Sequence, residues 1–261
     1  MAAILVIDVG NTNTVLGLVD GDKILYTWRI STLPRTTDEL GALILQLLAH
    51  RGVEPGWITG AICSSVVPSQ VYTIEKACRR YLDANCLIVG RKLKTGMRIR
   101  TDNPREVGAD RIVNAVAAIT AWGGPVIVVD FGTATTFDCV NAANDYIGGV
   151  IAPGLRISEE ALYTRTAQLP RVELARPDSV IGKNTIHAMQ AGLFYGYVGL
   201  VDALIDRCRA ELVPADPASV KVVATGGYAT LLTGGSARIQ EVDPFLTLRG
   251  LASLYARNAV E

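Results

Sequence analysis

The chain opens on an unbroken aliphatic run, Ile4 to Ile7, which ends in Asp8-Val9-Gly10-Asn11-Thr12-Asn13-Thr14. A short apolar run bounded by turn residues predicts a buried strand. A second run, Val15 to Val19, comes next and meets the turn signal Asp20-Gly21-Asp22. The pair predicts a β-hairpin whose bend carries a carboxylate, hydroxyls, amides and a glycine that admits close backbone approach. The same pattern returns later. Val126 to Val129 reads as a buried strand, Asp130-Phe131-Gly132-Thr133-Ala134-Thr135-Thr136 as its acidic, hydroxyl-rich bend, and Phe137 to Val140 as the return strand. One copy alone equally fits an acid and some threonines capping a turn. Two copies predict two halves of similar design, in which N–H groups and hydroxyls can hold phosphate oxygens and the acids a cation.

Between the copies the periodicity changes from two to 3.6. After a third strand, Ile24 to Ile30, Thr36 or Thr37 caps a helix running to about Arg51, with Leu40, Leu43, Ile44, Leu47 and Leu48 on its buried face. Ala61 to Val67 reads as a strand, Pro68 opens a second helix, and Cys86 to Val89 is a further strand. A helix is expected from Pro104 to about Trp122, bridging the halves. The second half then runs through strands at 126–131, 134–140 and 145–151, a short helix from Leu155, a loop over 165–182 and a long helix over about 185–211. A strand at Val220 to Ala224 and a last helix from about Leu246 complete it.

Composition narrows the class. Apolar residues make up 49% and charged residues 19% of 261, the profile of a well-cored globular protein. Formal net charge is zero, so nothing favours bulk attraction to nucleic acid or to a membrane. No basic region precedes the first apolar run, and no uninterrupted apolar run is long enough to span a bilayer, so no membrane association and a cytoplasmic location are expected. Five cysteines without CxxC spacing read as small core residues. His50 and His187 have no sequence context that would build a Ser-His-Asp or Cys-His mechanism.

The candidate chemistry therefore rests on acids and hydroxyls. There is no P-loop and no G-x-G-x-x-G after a strand. Two acidic bends suit a nucleoside triphosphate with its cation. The glycines of Ala224-Thr225-Gly226-Gly227 either lie under a flat ring or simply turn the chain. The segment Gly108-Ala109-Asp110-Arg111 places an acid and a base early in an apolar helix. It reads either as a dipole-favoured acid beside a solvated arginine, or as a carboxylate base beside a cation for an anionic substrate.

Taken in order, Asp8-Val9-Gly10-Asn11-Thr12, Gly108-Ala109-Asp110-Arg111, Asp130-Phe131-Gly132-Thr133-Ala134-Thr135-Thr136, Gly148-Gly149-Val150-Ile151-Ala152-Pro153-Gly154 and Pro244-Phe245-Leu246-Thr247-Leu248-Arg249-Gly250-Leu251 resemble the motifs of type III pantothenate kinases, members of the acetate and sugar kinase, Hsp70 and actin superfamily. The resemblance implies an α/β fold of two ribonuclease-H-like (actin-like ATPase) domains with mixed sheets and a ligand cleft between them, divided as residues 1–114 and 115–261. It implies ATP-dependent phosphorylation of pantothenate to 4'-phosphopantothenate, the first step of coenzyme A biosynthesis. Asp8, Val9, Gly10, Asn11, Thr12, Asn13, Thr14, Val15 and Thr133 would contact ATP, with Asp8 near Mg²⁺. Gly108, Ala109, Asp110, Arg111 and Thr185 would hold pantothenate, Asp110 would be the general base, and Asp130 would bind K⁺ or NH₄⁺. A homodimer is implied, with Thr185 near the subunit interface. Thr101 stands where some members have a substrate-contacting tyrosine. A non-catalytic regulator on the same scaffold is the rival class. It fits poorly with the absence of a basic patch and with three acids all in place at Asp8, Asp110 and Asp130. A sugar, acetate or polyphosphate acceptor is the third reading.

Overall fold

The computed structural model describes residues 2–90 and 92–259. The chain forms two compact units. The first comprises residues up to Gly96, Asn103–Thr120 and residues from Phe245 on; the second comprises Met97–Asp102 and Ala121–Pro244. The first unit contains β1 (Ala3–Val9), β2 (Asn13–Asp20), β3 (Lys23–Ser31), α1 (Thr37–Ala49), β4 (Ile58–Ser65), α2 (Pro68–Leu82), β5 (Cys86–Ile88) and α3 (Ala109–Trp122), the last two residues of which fall in the second unit. The second unit contains β6 (Val126–Phe131), β7 (Ala134–Val140), β8 (Tyr146–Pro153), α4 (Leu155–Arg165) and α5 (Thr185–Ala191). A π turn (Gly192–Gly196), α6 (Tyr197–Leu212), β9 (Lys221–Gly226), α7 (Ala229–Thr233) and β10 (Glu241–Val242) come after these. The last helix, α8 (Leu246–Asn258), returns to the first unit.

The two sheets are built to one plan. Their orders are β3-β2-β1-β4-β5 and β8-β7-β6-β9-β10, each with three antiparallel strands followed by two parallel ones. This mixed-sheet repeat is the ribonuclease-H-like pattern that the duplicated strand–bend–strand motif predicts. In β1, Leu5, Ile7 and Val9 pack into the core under α1 and α2 with Leu40, Ile44, Ile74 and Cys78. In the second sheet, Ile127, Val129 and Phe131 pack with Phe194, Tyr197, Val201 and Ile205 of the long helix. Helix α1 starts on a complete capping box between Thr36 and Glu39, which satisfies otherwise orphaned N–H groups.

Three features differ from the sequence-based expectation. The cut at 114/115 does not follow the compact units, because α8 packs against β1, β2 and β4 and the residues around α3 pack with them. Glycines make room for α8: at Gly17 an added Cβ would lie 3.0 Å from the Leu248 side chain, and at Gly60 it would strike the Tyr255 hydroxyl. Helix α3 begins at Ala109, not Pro104, because Asn103 first closes a turn with its amide donating to Glu106 at 2.7 Å and its carbonyl accepting the Glu106 N–H. Finally, the continuous helix Thr185–Leu212 is long and apolar enough to cross a membrane by length and composition. Uninterrupted runs alone did not reveal it, since glycine, alanine and a few polar residues are interspersed. Its inward side chains, including Met189, Leu193, Phe194 and Val201, are buried in the core of the second unit.

Two glycine substitutions should act in opposite directions. Gly250→Ala on α8 would bring a Cβ to within 2.3 Å of the Val113 carbonyl oxygen, so thermal unfolding should show a loss of about 1–3 kcal/mol despite the better helix propensity. Gly199→Ala on α6 has open space around it and should raise stability by about 0.5–1 kcal/mol.

Candidate active site

The end of β1 carries the first acid. Its register is fixed on both sides, with Asp8 opposite Val15 on β2 and opposite Ser64 on β4. The parallel pairing brings the Ser64 hydroxyl to the carboxylate, where it donates a 2.6 Å hydrogen bond to Asp8 Oδ1. Burial pushes the Asp8 carboxyl up to about 6; the Ser64 hydrogen bond opposes this and the nearby Asp110 charge adds to it. Asp8 and Asp110, 102 positions apart, are thus brought within electrostatic reach inside one unit. After Asp8 the bend holds Asn11, Thr12 and Asn13 exposed, while Thr14 is buried and hydrogen-bonded to Thr32 at 2.9 Å. The Gly10 N–H is tied to the Asn13 carbonyl at 3.0 Å, which closes the bend.

Asp110 lies in the first turn of α3. Its Oδ1 accepts the Arg111 backbone N–H at 2.9 Å. An added Cβ at Gly108 would come within 2.5 Å of that same oxygen, so Gly108 leaves room for this carboxylate rotamer. Burial raises the Asp110 carboxyl above the usual range, while the Arg111 N–H and guanidinium pull it down. A carboxylate held partly desolvated and next to a cation is suited to accept a proton and to sit beside an anionic ligand.

In the second unit, the matching acid Asp130 ends β6 opposite Thr136 on β7 and Thr225 on β9. Gly226, at φ +93°, passes close to it: a Cβ there would fall 2.5 Å from Asp130 Oδ1. Thr133 is exposed at the tip of the bend. Thr185 is exposed at the start of α5, where Asn184 caps the helix by accepting the His187 N–H at 2.9 Å. Among the described residues the buried Thr101 hydroxyl has no hydrogen-bond partner.

Asp8 and Asp110 are brought together, as are Asp130 and the Gly226 backbone, while Thr185 stands on its own helix. Ser64 was not legible as a site residue in the sequence. Its only signal was a pair of serines at the end of an apolar run, and nothing local reveals the parallel register that aims one at Asp8. The donor set also bears on metal chemistry. No group of three or more His, Cys, Asp or Glu side chains among the described residues could hold a metal by itself. A Mg²⁺ that arrives with phosphates needs only one or two carboxylates, and a carboxylate pushed up by burial is stabilised by such an ion.

A family model described as type III pantothenate kinase matches residues 4–207. The type III pantothenate kinase of Geobacillus thermodenitrificans is 54% identical over 257 residues, covering 98% of each chain. The chain belongs to the type III pantothenate kinase family. Solved structures support the fold at lower identity. A chain from Sinorhizobium meliloti, provisionally described as a 2-dehydro-3-deoxygalactonokinase, aligns with a TM-score of 0.59 at 16% identity, over 98% of this chain and 96% of that one. A chain from Campylobacter jejuni, provisionally described as a Baf family transcriptional activator, aligns with a TM-score of 0.57 at 20% identity, over 97% and 98%. At these identities the likeness carries the fold and leaves the function to the family.

The raised Asp8 carboxyl yields a linkage prediction. Its folded value of about 6 lies above the ordinary 3.8, so folding favours the protonated acid. That contribution is complete below about pH 3.8 and is lost as pH rises through 6. Asp8→Asn, measured by denaturant unfolding in the presence of a chelator, should therefore be more stable than the parent at pH 8. The gain should be on the order of 2 kcal/mol, allowing for partial solvent access, and should vanish towards pH 4.

Proposed function

We propose that this chain phosphorylates the primary hydroxyl of pantothenate with ATP, giving 4'-phosphopantothenate at the entry to coenzyme A synthesis. The observation that carries this is the 54% identity to a type III pantothenate kinase over 98% of the chain. The pair of partly desolvated acids Asp8 and Asp110 in one unit agrees with it.

In this reading Asp110 orients the attacking hydroxyl and accepts its proton, and Arg111 faces the carboxylate of pantothenate. Gly108 and Ala109 complete the acceptor wall. Asp8 through Val15, with Thr133, contact the triphosphate; Gly10 admits close approach, and the exposed Asn11, Thr12 and Asn13 offer donors. Mg²⁺, when bound, would offset phosphate charge as the γ-phosphoryl group moves, with Asp8 among its ligands. Asp130 would hold K⁺ or NH₄⁺. Ser64 keeps the Asp8 carboxylate in one orientation. Thr185 reaches pantothenate in a homodimer, for which exposed Ile186 on α5 and Leu200 on α6 supply apolar surface. The enzyme works in the cytoplasm, without nucleic acid or membrane as partner.

Incubation with ATP, Mg²⁺, K⁺ and pantothenate should release ADP only when the acceptor is present, while acetate or sugars give background rates. Asp110→Asn should keep ATP binding and lower turnover by two or more orders of magnitude, roughly the general-base contribution. Near-parental turnover in that variant would remove Asp110 from the mechanism.

A further inference from the structure

The long helix of the second unit is α-helical at both ends and π-helical between them, from Gly192 to Gly196. A π turn inserts one residue into the hydrogen-bond ladder, shifts the phase of the helix beyond it, and is frequent at functional sites. The first residue after it is Tyr197, whose ring is buried in the core. Its hydroxyl donates to the Pro153 carbonyl at 2.7 Å and lies 2.5 Å from Thr135 Oγ1. A phenol has one proton. With that proton on Pro153, the Thr135 hydroxyl must be the donor to the phenol oxygen. The chain of donors runs Thr135 to Tyr197 to Pro153, and both hydroxyl-bearing side chains are at most 6% exposed.

The two segments joined in this way are those around Thr133. Thr135 is the second residue of β7, two positions after it. Pro153 ends β8 and precedes Gly154, whose Cα lies so close to the Thr133 carbonyl that a Cβ there would overlap its oxygen. Thr133 itself is exposed at the tip. Its backbone is therefore bounded on one side by Gly154 and anchored through Thr135, and Tyr197 fastens both supports.

We infer that Tyr197 is a positioning residue for the ATP-contacting bend, and that the π turn phases the long helix so that its hydroxyl clamps the Gly132–Thr135 bend to the Pro153–Gly154 strand end. The assignment rests on the kinase reading above for what the bend binds. The same continuous helix begins with Thr185, the proposed acceptor contact.

The test compares the parent with Tyr197→Phe, Thr135→Val, Thr135→Ser and the Tyr197→Phe/Thr135→Val double variant. Steady-state KM for ATP and for pantothenate would be measured, with the Kd of a non-hydrolysable ATP analogue by calorimetry and the Tm of each variant. Tyr197→Phe and Thr135→Val should each raise the ATP KM and the analogue Kd about five- to twentyfold, an effect the size of losing one or two buried hydrogen bonds. The pantothenate KM should stay within about twofold, Thr135→Ser should match the parent, and the double variant should be no worse than the weaker single one. A fall in Tm with ATP KM and analogue Kd within about twofold would overturn the inference, as would equal rises in both KM values. If Tyr197→Phe does not fold, the Thr135 pair decides from the other end of the same chain. A parent that binds the analogue but leaves pantothenate unphosphorylated would sink the kinase reading alone, because analogue affinity still tests the clamp.

Discussion

A carboxylate at the inner end of a central strand is the constraint on which the first unit depends. Asp8 has apolar strand on its near side and a bend of small polar residues beyond it. The surroundings that exclude water also make its charge costly, and among the described residues one hydroxyl, from Ser64, offsets part of that cost. A fold optimised for stability alone would place an amide or an apolar residue there. In the proposed reading a cation and a triphosphate would compensate that charge, the usual form of a stability–function compromise.

Duplication of the sheet repeats this arrangement with altered chemistry. Asp130 occupies the place of Asp8, and Thr225 occupies the register position of Ser64. The surroundings differ. Asp8 shares its unit with Asp110, whereas Asp130 is approached by the bare backbone of Gly226. Two equivalent strand ends have thus been given unequal neighbours, and in the proposed reading that difference would let one acid serve the triphosphate and the other a separate cation.

The strands and bends were legible because their signals are local. Aliphatic runs ending in acid, glycine and threonine give β1, β6 and their hairpins, with β6 and β7 at their expected limits. Asp8, Asp110 and Asp130 stand out in the sequence through residue type and motif order, and the fold brings Asp8 and Asp110 within electrostatic reach of each other. The features that escaped depend on distant pairing. The role of Ser64 comes from a parallel register 56 positions away. The start of α3 depended on whether Asn103 capped a helix or closed a turn, and its amide settled that in favour of the turn. The π turn leaves no mark in apolar spacing, because Leu193, Phe194 and Tyr197 fit an ordinary buried helix face equally well.

The return of α8 to the first sheet has a consequence for biogenesis. Residues 245–258 leave the ribosome after the whole second unit, yet Gly17, Gly60 and Val113 belong to the surface that they cover. The amino-terminal sheet must therefore wait, with Val6 and its neighbours unsheltered, while more than a hundred later residues are made. During that interval the nascent chain exposes apolar surface of the kind that chaperones hold, and completion of the first unit is tied to synthesis of the second.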